Sequence, residues 1–167
     1  MKTLWLIRHA KAEKEGKKDF DRDLTKKGRD DVEIMGSILK KMKVSPNLIM
    51  SSPAVRALMT AKIFARQLGY DKDKIMVEAA FYSFDLQQMI AITENTDDHI
   101  SSLMIVSHNP TILQMAEKLC NTEIEKFPTA AVFQLETTAE TWNNITEANF
   151  RLVFSDFPKN HLSENEK

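Results

Sequence analysis

Leu4-Trp5-Leu6-Ile7-Arg8-His9-Ala10 is the stretch that decides how this 167-residue chain is read. Four consecutive apolar residues form the pattern of a strand buried on both faces. Such a strand normally ends in turn-forming residues, but this one runs into a guanidinium and an imidazole. A cation pair at the end of a buried strand points to an oxyanion ligand.

Two later segments repeat the arrangement. Pro46 to Met50 reads as a short strand, followed by Ser51-Ser52-Pro53-Ala54-Val55-Arg56. Ser52 is expected to cap a helix whose first residue is Pro53, which puts Arg56 in the first turn. Leu103-Met104-Ile105-Val106 is a second apolar strand, running into Ser107-His108-Asn109-Pro110. Here Asn109 is the expected N-cap and Pro110 the first helical residue, with His108 at the strand's carboxyl end. Strands alternating with helices predict an α/β fold with a mostly parallel sheet, whose ligands bind at the carboxyl ends of the strands. Arg8, His9, Arg56 and His108 then share one edge, where helix amino-termini add partial positive charge. The expected ligand is a phosphate or similar oxyanion.

Composition narrows the options. With 43% hydrophobic and 28% charged residues the chain suits one globular domain, expected over residues 1–157, with a polar, frayed tail at 158–167. A net charge of −1 argues against broad nucleic-acid or anionic-membrane binding. The amino-terminal apolar run is too short for a secretory signal or a membrane span. A lone cysteine, Cys120, excludes an intramolecular disulfide and fits a reducing, cytoplasmic setting. Four glycines leave neither a Walker-type loop nor a dinucleotide fingerprint.

Periodicity supplies the remaining elements. Lys11 to Asp23 has no apolar period and is long for a connection, so it reads as a loop able to cover a site. A helix from about Thr25 carries Val32, Met35, Ile38, Leu39 and Met42 on one stripe; a second, Pro53 to about Leu68, buries Leu58, Ala61, Ala65 and Leu68 and stops at Gly69. Lys74 to Val77, Ala130 to Glu136 and Phe150 to Phe154 read as strands. Asp85 to Thr93 and Pro110 to Leu119 read as helices. His99 and His161 lie in polar stretches and read as solvated. Trp5 is expected to pack in the sheet and Trp142 to anchor the late segment, while Tyr82 and Phe84 either rim the pocket or pack in the core.

Two histidines and two arginines around a phosphate suggest covalent catalysis. A neutral imidazole is a competent nucleophile toward phosphorus, and a phosphohistidine intermediate splits hydrolysis into two easier steps. His9 is the expected nucleophile. Guanidinium forks stabilise the equatorial oxygens of the transferring group, a role that suits Arg8 and Arg56, with His108 as a further donor. Fixed cations replace a metal in this scheme, and no metal-ligand spacing is present, so no metal is expected.

Arg8-His9-Ala10 with Lys11-Ala12, Ser51 to Ala57 with Thr60-Ala61, and Val106-Ser107-His108-Asn109-Pro110 resemble the three signature segments of the histidine phosphatase superfamily, the phosphoglycerate mutase-like fold. The Arg-His-Ala and His-Asn-Pro variants and the short chain look most like its SixA-type phosphohistidine phosphatases. The resemblance extends from Met1 to about Phe157, including Asp21 to Gly28 and Pro128 to Val132. It implies a three-layer α/β/α sandwich, no cofactor, His9 as the phosphorylated nucleophile, and a phosphate pocket of Arg8, Arg56 and His108. Arg22 and Asn109 are candidate substrate-binding residues.

The substrate is read from departures. Relatives often carry proline before the Leu-Thr pair, where this chain has Asp23. Superfamily members that cleave esters use a carboxylic acid to protonate an alkoxide. Glu78, at the end of a predicted strand, is the candidate general acid here, because Asp85 looks like a helix cap. A protonated imidazole leaves without a strong acid, so the lack of a firm acid favours phosphohistidine hydrolysis. The chain also has little sequence for insertions over the site, which suits a phosphohistidine-bearing protein as partner. The alternatives are a small-molecule phosphomonoesterase and, from another class, an inactive phosphate-recognition module, which would be expected to lack His9 or an arginine. Neither the substrate nor the oligomeric state is specified by these residues.

Overall fold

The computed structural model describes residues 1–163, 165 and 166. Ten main elements alternate along the chain: β1 (Lys2–Arg8), α1 (Lys26–Lys41), β2 (Leu48–Ser51), α2 (Val55–Leu68), β3 (Met76–Val77), α3 (Leu86–Glu94), β4 (Ser102–Ser107), α4 (Thr111–Cys120), β5 (Val132–Thr137) and β6 (Arg151–Asp156). The strands form one sheet in the order β3-β2-β4-β1-β5-β6. The first four run parallel, β5 is antiparallel to β1, and β6 is antiparallel to β5.

Period-two alternation explains the layers. On β1, Leu4 and Leu6 point into a core with Leu103 and Ile105 of β4, Met89 and Ile90 of α3, and Ile112 and Met115 of α4. Trp5 and Ile7 point the other way, with Met104 and Val106, onto Val32, Met35 and Leu39 of α1 and Ala61 and Phe64 of α2. Both faces of β1 and β4 are therefore covered, which is why these strands read as unbroken apolar runs. Each Leu or Ile buried this way contributes about 2 kcal/mol relative to exposure. The result is a three-layer α/β/α sandwich with a mostly parallel central sheet.

Register brings the catalytic edge together. Arg8 pairs with Ser107, and Ser51 pairs with both Val106 and Val77, so β1, β2 and β4 end within a residue of one another. The ladder continues one step further: His9 N–H donates to the Ser107 carbonyl at 3.0 Å and Ser52 N–H to the Val106 carbonyl at 3.0 Å. His9, Ser52 and His108 are thereby adjacent.

Local signals were largely sufficient for the helices. Thr25 caps α1 through its hydroxyl, which accepts from Gly28 N–H at 2.9 Å, and Gly69 ends α2 in the left-handed region at φ 71°. Gly28 has a second role: a Cβ there would lie 2.1 Å from the Lys11 carbonyl oxygen, so only glycine lets α1 start against the strand-exit loop. Trp142 is fully buried and its indole N–H donates to the Ile100 carbonyl at 2.7 Å, which anchors the late segment as expected.

Several boundaries differ from the sequence reading. The second helix begins at Val55, not Pro53, and Ala54 stands at its N-cap, although the Ser52 hydroxyl does accept from Ala54 N–H at 3.2 Å as well as meeting His108. Pro110, not Asn109, is the N-cap of α4; the Asn109 side-chain NH2 donates to the Phe127 carbonyl, and its buried oxygen accepts from no backbone N–H. Met42 lies past the last turn of α1 and is exposed, while Ile38, Leu58 and Leu68 are only half-buried. The strand expected over Lys74 to Val77 shrinks to Met76–Val77 after a 3₁₀ turn at Lys72–Lys74. In the expected tail, Pro158–His161 form a 3₁₀ turn with Pro158 buried, while Glu164 and Lys167 lie outside the described residues. Among the described residues no helix is long and apolar enough to cross a membrane.

Candidate active site

Each polar side chain at this edge is held by local geometry. His9 follows β1 directly, and its Nδ1 lies 2.8 Å from the Ala10 carbonyl oxygen. A carbonyl only accepts, so Nδ1 carries the proton and Nε2 presents its lone pair. The Arg56 Nε–H points at that Nε2 from 3.4 Å. Thr60, one turn after Arg56, ties the two segments: its hydroxyl donates to the Arg56 carbonyl at 2.7 Å and accepts from Ala10 N–H at 3.0 Å. The arginine and the nucleophile candidate are thus positioned through one buried hydroxyl.

His108 lies beside His9, with ring centroids 5.1 Å apart. Its Nε2 is 2.7 Å from the Ser52 hydroxyl, and its buried Nδ1 has no protein partner. Arg8 donates from one terminal nitrogen to the Phe127 carbonyl at 3.2 Å, while its buried Nε is also without a partner. Asn109 donates to the same Phe127 carbonyl at 3.0 Å, which places it next to Arg8. The edge therefore holds two buried N atoms directed at no protein group, although buried polar atoms are nearly always paired.

The loop after β1 supplies a residue that sequence reasoning missed. Asp19 sits in a 3₁₀ turn, Asp19–Asp21, and its Oδ2 accepts from Arg56 at 3.2 Å and from the Tyr82 hydroxyl at 2.5 Å. Its Oδ1 accepts from both Nε and a terminal nitrogen of Arg22, at 3.2 and 2.8 Å, and its backbone carbonyl accepts from Arg56 at 2.8 Å. The Tyr82 hydrogen bond first, then those from Arg22 and Arg56, hold the Asp19 carboxyl down at about 2. Arg22 reaches the site only through this carboxylate, with a further bond to the Glu13 carbonyl at 3.1 Å. Nothing in a run of alternating charges singles out Asp19 in the sequence.

Glu78 is placed apart from this cluster. Its backbone N–H donates to the Ser51 carbonyl at 2.9 Å, and it lines a cavity of about 500 Å³ with Leu48, Met50, Ile92, Asp97 and Ile100, none of them a residue of the cluster. Asp85 caps α3, accepting from Gln87 and Gln88 N–H at 2.9 and 3.2 Å, as expected. The exposed His99 pairs with Asp97, and His161 pairs with Asp156. Cys120 is half-buried, and burial pushes its thiol up to about 11, which suits a structural residue.

Both histidines of the site are held neutral. Desolvation first, then Arg56, Arg8 and Arg22, lowers His9 from 6.5 to about 4, against an opposing effect of its bond to Ala10. Desolvation, then His9 and Arg56, lowers His108 to about 3. At neutral pH His9 Nε2 is therefore an unprotonated nucleophile candidate in a field of cations. The same shifts make stability depend on pH. Unfolded histidines gain protons below 6.5 whereas the folded ones do not, so their contribution is complete above 6.5 and is lost as pH falls toward about 4 and 3. Urea denaturation at pH 7.5 and pH 5 is expected to show a loss of order 3 kcal/mol for the pair, with a smaller loss in His9→Asn. Equal stability at the two pH values would contradict the buried, neutral pair.

Comparison with known proteins follows the same lines. The family model described as the histidine phosphatase superfamily (branch 1) matches residues 4–100, more than half of the chain. A 65-residue stretch is 37% identical to the mitochondrial serine/threonine-protein phosphatase PGAM5 of Xenopus tropicalis, covering 39% of this chain and 23% of that protein. The chain thus spans about a quarter of the length of the PGAM5 relatives it matches. Over 141 residues it is 24% identical to phosphohistidine phosphatase SixA of Escherichia coli (strain K12), covering 84% of this chain and 88% of that one. A solved structure of the protein histidine phosphatase SixA complexed with tungstate shares the fold, with a TM-score of 0.83 at 23% identity, covering 96% of this chain and 99% of that one.

Proposed function

This chain belongs to the histidine phosphatase superfamily, and on that footing we propose that it is a metal-independent phosphatase working through a phosphohistidine intermediate on His9, with phosphohistidine on a protein as its substrate. The observation that carries the reading is the tautomer of His9: Nδ1–H is committed to the Ala10 carbonyl, so the Nε2 lone pair faces Arg56 in a site whose histidines are neutral at pH 7. That nitrogen attacks phosphorus as the bond from phosphorus to the leaving nitrogen breaks, and the leaving imidazole, already protonated from solvent on its second nitrogen, departs as a neutral ring. Water then hydrolyses the phospho-His9 bond, releasing phosphate and restoring the imidazole. The tungstate in the SixA structure, a tetrahedral oxyanion, is consistent with a phosphate pocket in this fold.

Arg8, Arg56 and His108 serve as donors to the phosphoryl oxygens in this reading. The partnerless Arg8 Nε and His108 Nδ1 support it: both are buried N atoms, one on the residue before His9 and one on a ring whose centroid is 5.1 Å from that of His9. Asp19 occupies donors of Arg56 and Arg22 with carboxylate oxygens, so an entering phosphoryl group takes over ready-made anion contacts. Asn109 steadies Arg8 through their shared carbonyl. The place of Glu78 on the lining of a separate cavity weighs against an alkoxide leaving group and thus against a small-molecule phosphomonoesterase. A cytoplasmic role in histidine-based phosphotransfer or signalling fits the lone cysteine and the SixA likeness.

The test compares phosphate release from a phosphohistidine-bearing protein or peptide with release from an aryl phosphate, with chelator present and His9→Ala as control. Selective, chelator-resistant, His9-dependent release from phosphohistidine is expected. Comparable or faster release from the aryl ester would favour a general phosphomonoesterase.

A further inference from the structure

Three aromatic side chains that the phosphoryl chemistry leaves unused stand beside the site. Tyr82 and Phe84 each meet the His108 ring edge-on, with centroids 5.7 and 5.6 Å away. Tyr82 also meets Phe84 at 5.9 Å and Phe20 at 5.2 Å, the latter edge-on. Phe20 comes from the loop after β1, Tyr82 and Phe84 from the segment between β3 and α3, so separate parts of the chain converge on one feature. The Tyr82 hydroxyl bond to Asp19 ties that feature to Arg56.

Packing does not account for these rings. Among the described residues Phe20 and Phe84 are the only exposed phenylalanine, tyrosine or tryptophan residues, at 39% and 46%. Phe84 also has φ 58°, a left-handed backbone that a bulky residue rarely adopts. A glycine or asparagine would suit that backbone better, and a polar side chain would suit the exposure. Strain of this kind, kept beside a reactive site, is characteristic of a functional constraint.

We infer that Phe20, Tyr82 and Phe84 form a leaving-group subsite for a flat ring, the imidazole that carries the phosphoryl group. The inference rests on the phosphatase reading and specifies its substrate. With phosphorus held between His9 and the arginines, a leaving group beyond it meets ring faces and edges. Flat rings gain directional stacking on such a surface, and an imidazole protonated on its second nitrogen gains cation–π attraction as well. An aliphatic alkoxide or a sugar gains neither. A phenol ring shares the stacking and lacks the charge, so the two ring sources separate experimentally.

The experiment measures kcat/KM for a phosphohistidine peptide, an aryl phosphate and ring-free phosphoramidate, in the unaltered protein, in Phe84→Gly and in Phe20→Leu, with a thermal melt of each. Glycine accepts the left-handed backbone at position 84, so that variant is expected to stay folded. The ratio of phosphohistidine to phosphoramidate kcat/KM is expected to fall about tenfold in each variant. An unchanged ratio in both variants, or equal losses on all three substrates, would overturn the subsite. A fall confined to the aryl ester would overturn the imidazole assignment. An unaltered protein inactive on all three would overturn the phosphatase reading itself, and the subsite with it.

Discussion

Replacing His9 with alanine is expected to remove turnover almost completely, by on the order of 10⁴-fold or more, while the protein stays folded. The side chain stands at a strand exit, not inside either apolar core, and its hydrogen-bonding through the ring is confined to the Ala10 carbonyl and Arg56. Its truncation leaves a small space beside His108 and costs about 1–2 kcal/mol of stability, the usual range for such a site. The loss in rate is far larger because the variant lacks the Nε2 that the Ala10 bond leaves unprotonated and that Arg56 holds in place. A quench experiment with labelled phosphohistidine substrate separates the roles: the unaltered protein is expected to retain acid-labile label and His9→Ala none. Undiminished turnover in the variant would exclude His9 as the nucleophile.

The second large effect is expected at Arg56. Its side chain is 4% exposed, and its three nitrogens reach His9, the Asp19 carbonyl and the Asp19 carboxylate. Removing a donor from a preorganised oxyanion site typically lowers rate by ~10²–10³-fold, about 3–4 kcal/mol of barrier, and Arg56→Ala is expected to fall in that range. The stability cost is smaller than for a fully buried ion pair, because Asp19 is 54% exposed and water compensates it when the arginine is lost. Arg56→Lys keeps the charge but loses the planar fork, so its rate is expected to lie between the two. Steady-state kinetics with parallel thermal melts decide the matter: a variant that loses Tm but keeps its rate would make Arg56 a structural residue.

The site was legible in the sequence to the extent that it is built from chain-local signals. Arg8 and His9 end an apolar strand, His108 ends another, and Arg56 lies in the first turn of the helix after a third. A strand exit places its next residue at the sheet edge whatever else the chain does. The helix starts lie one or two residues later than the polar residues Ser52 and Asn109 suggest: Ser52 accepts from Ala54 N–H but also meets His108, and Asn109 donates to Phe127. Glu78 does follow β3, but which site a strand-end residue joins depends on what packs there, and it lines the cavity beside β2 and α3.

By itself the sequence determined the alternation of apolar strands and amphipathic helices, and hence a mostly parallel sheet with its polar residues gathered at one edge, because hydrophobic periodicity and strand-end chemistry act over a few neighbouring residues. Only the tertiary structure decided that Asp19 would bind Arg56 and Tyr82, that Phe20 would reach the ring at position 82, and that His9 would present Nε2. Those contacts join segments 37 to 63 residues apart or rest on a particular side-chain rotation, and such distances are closed by packing and loop path, which leave no periodic signal in the chain.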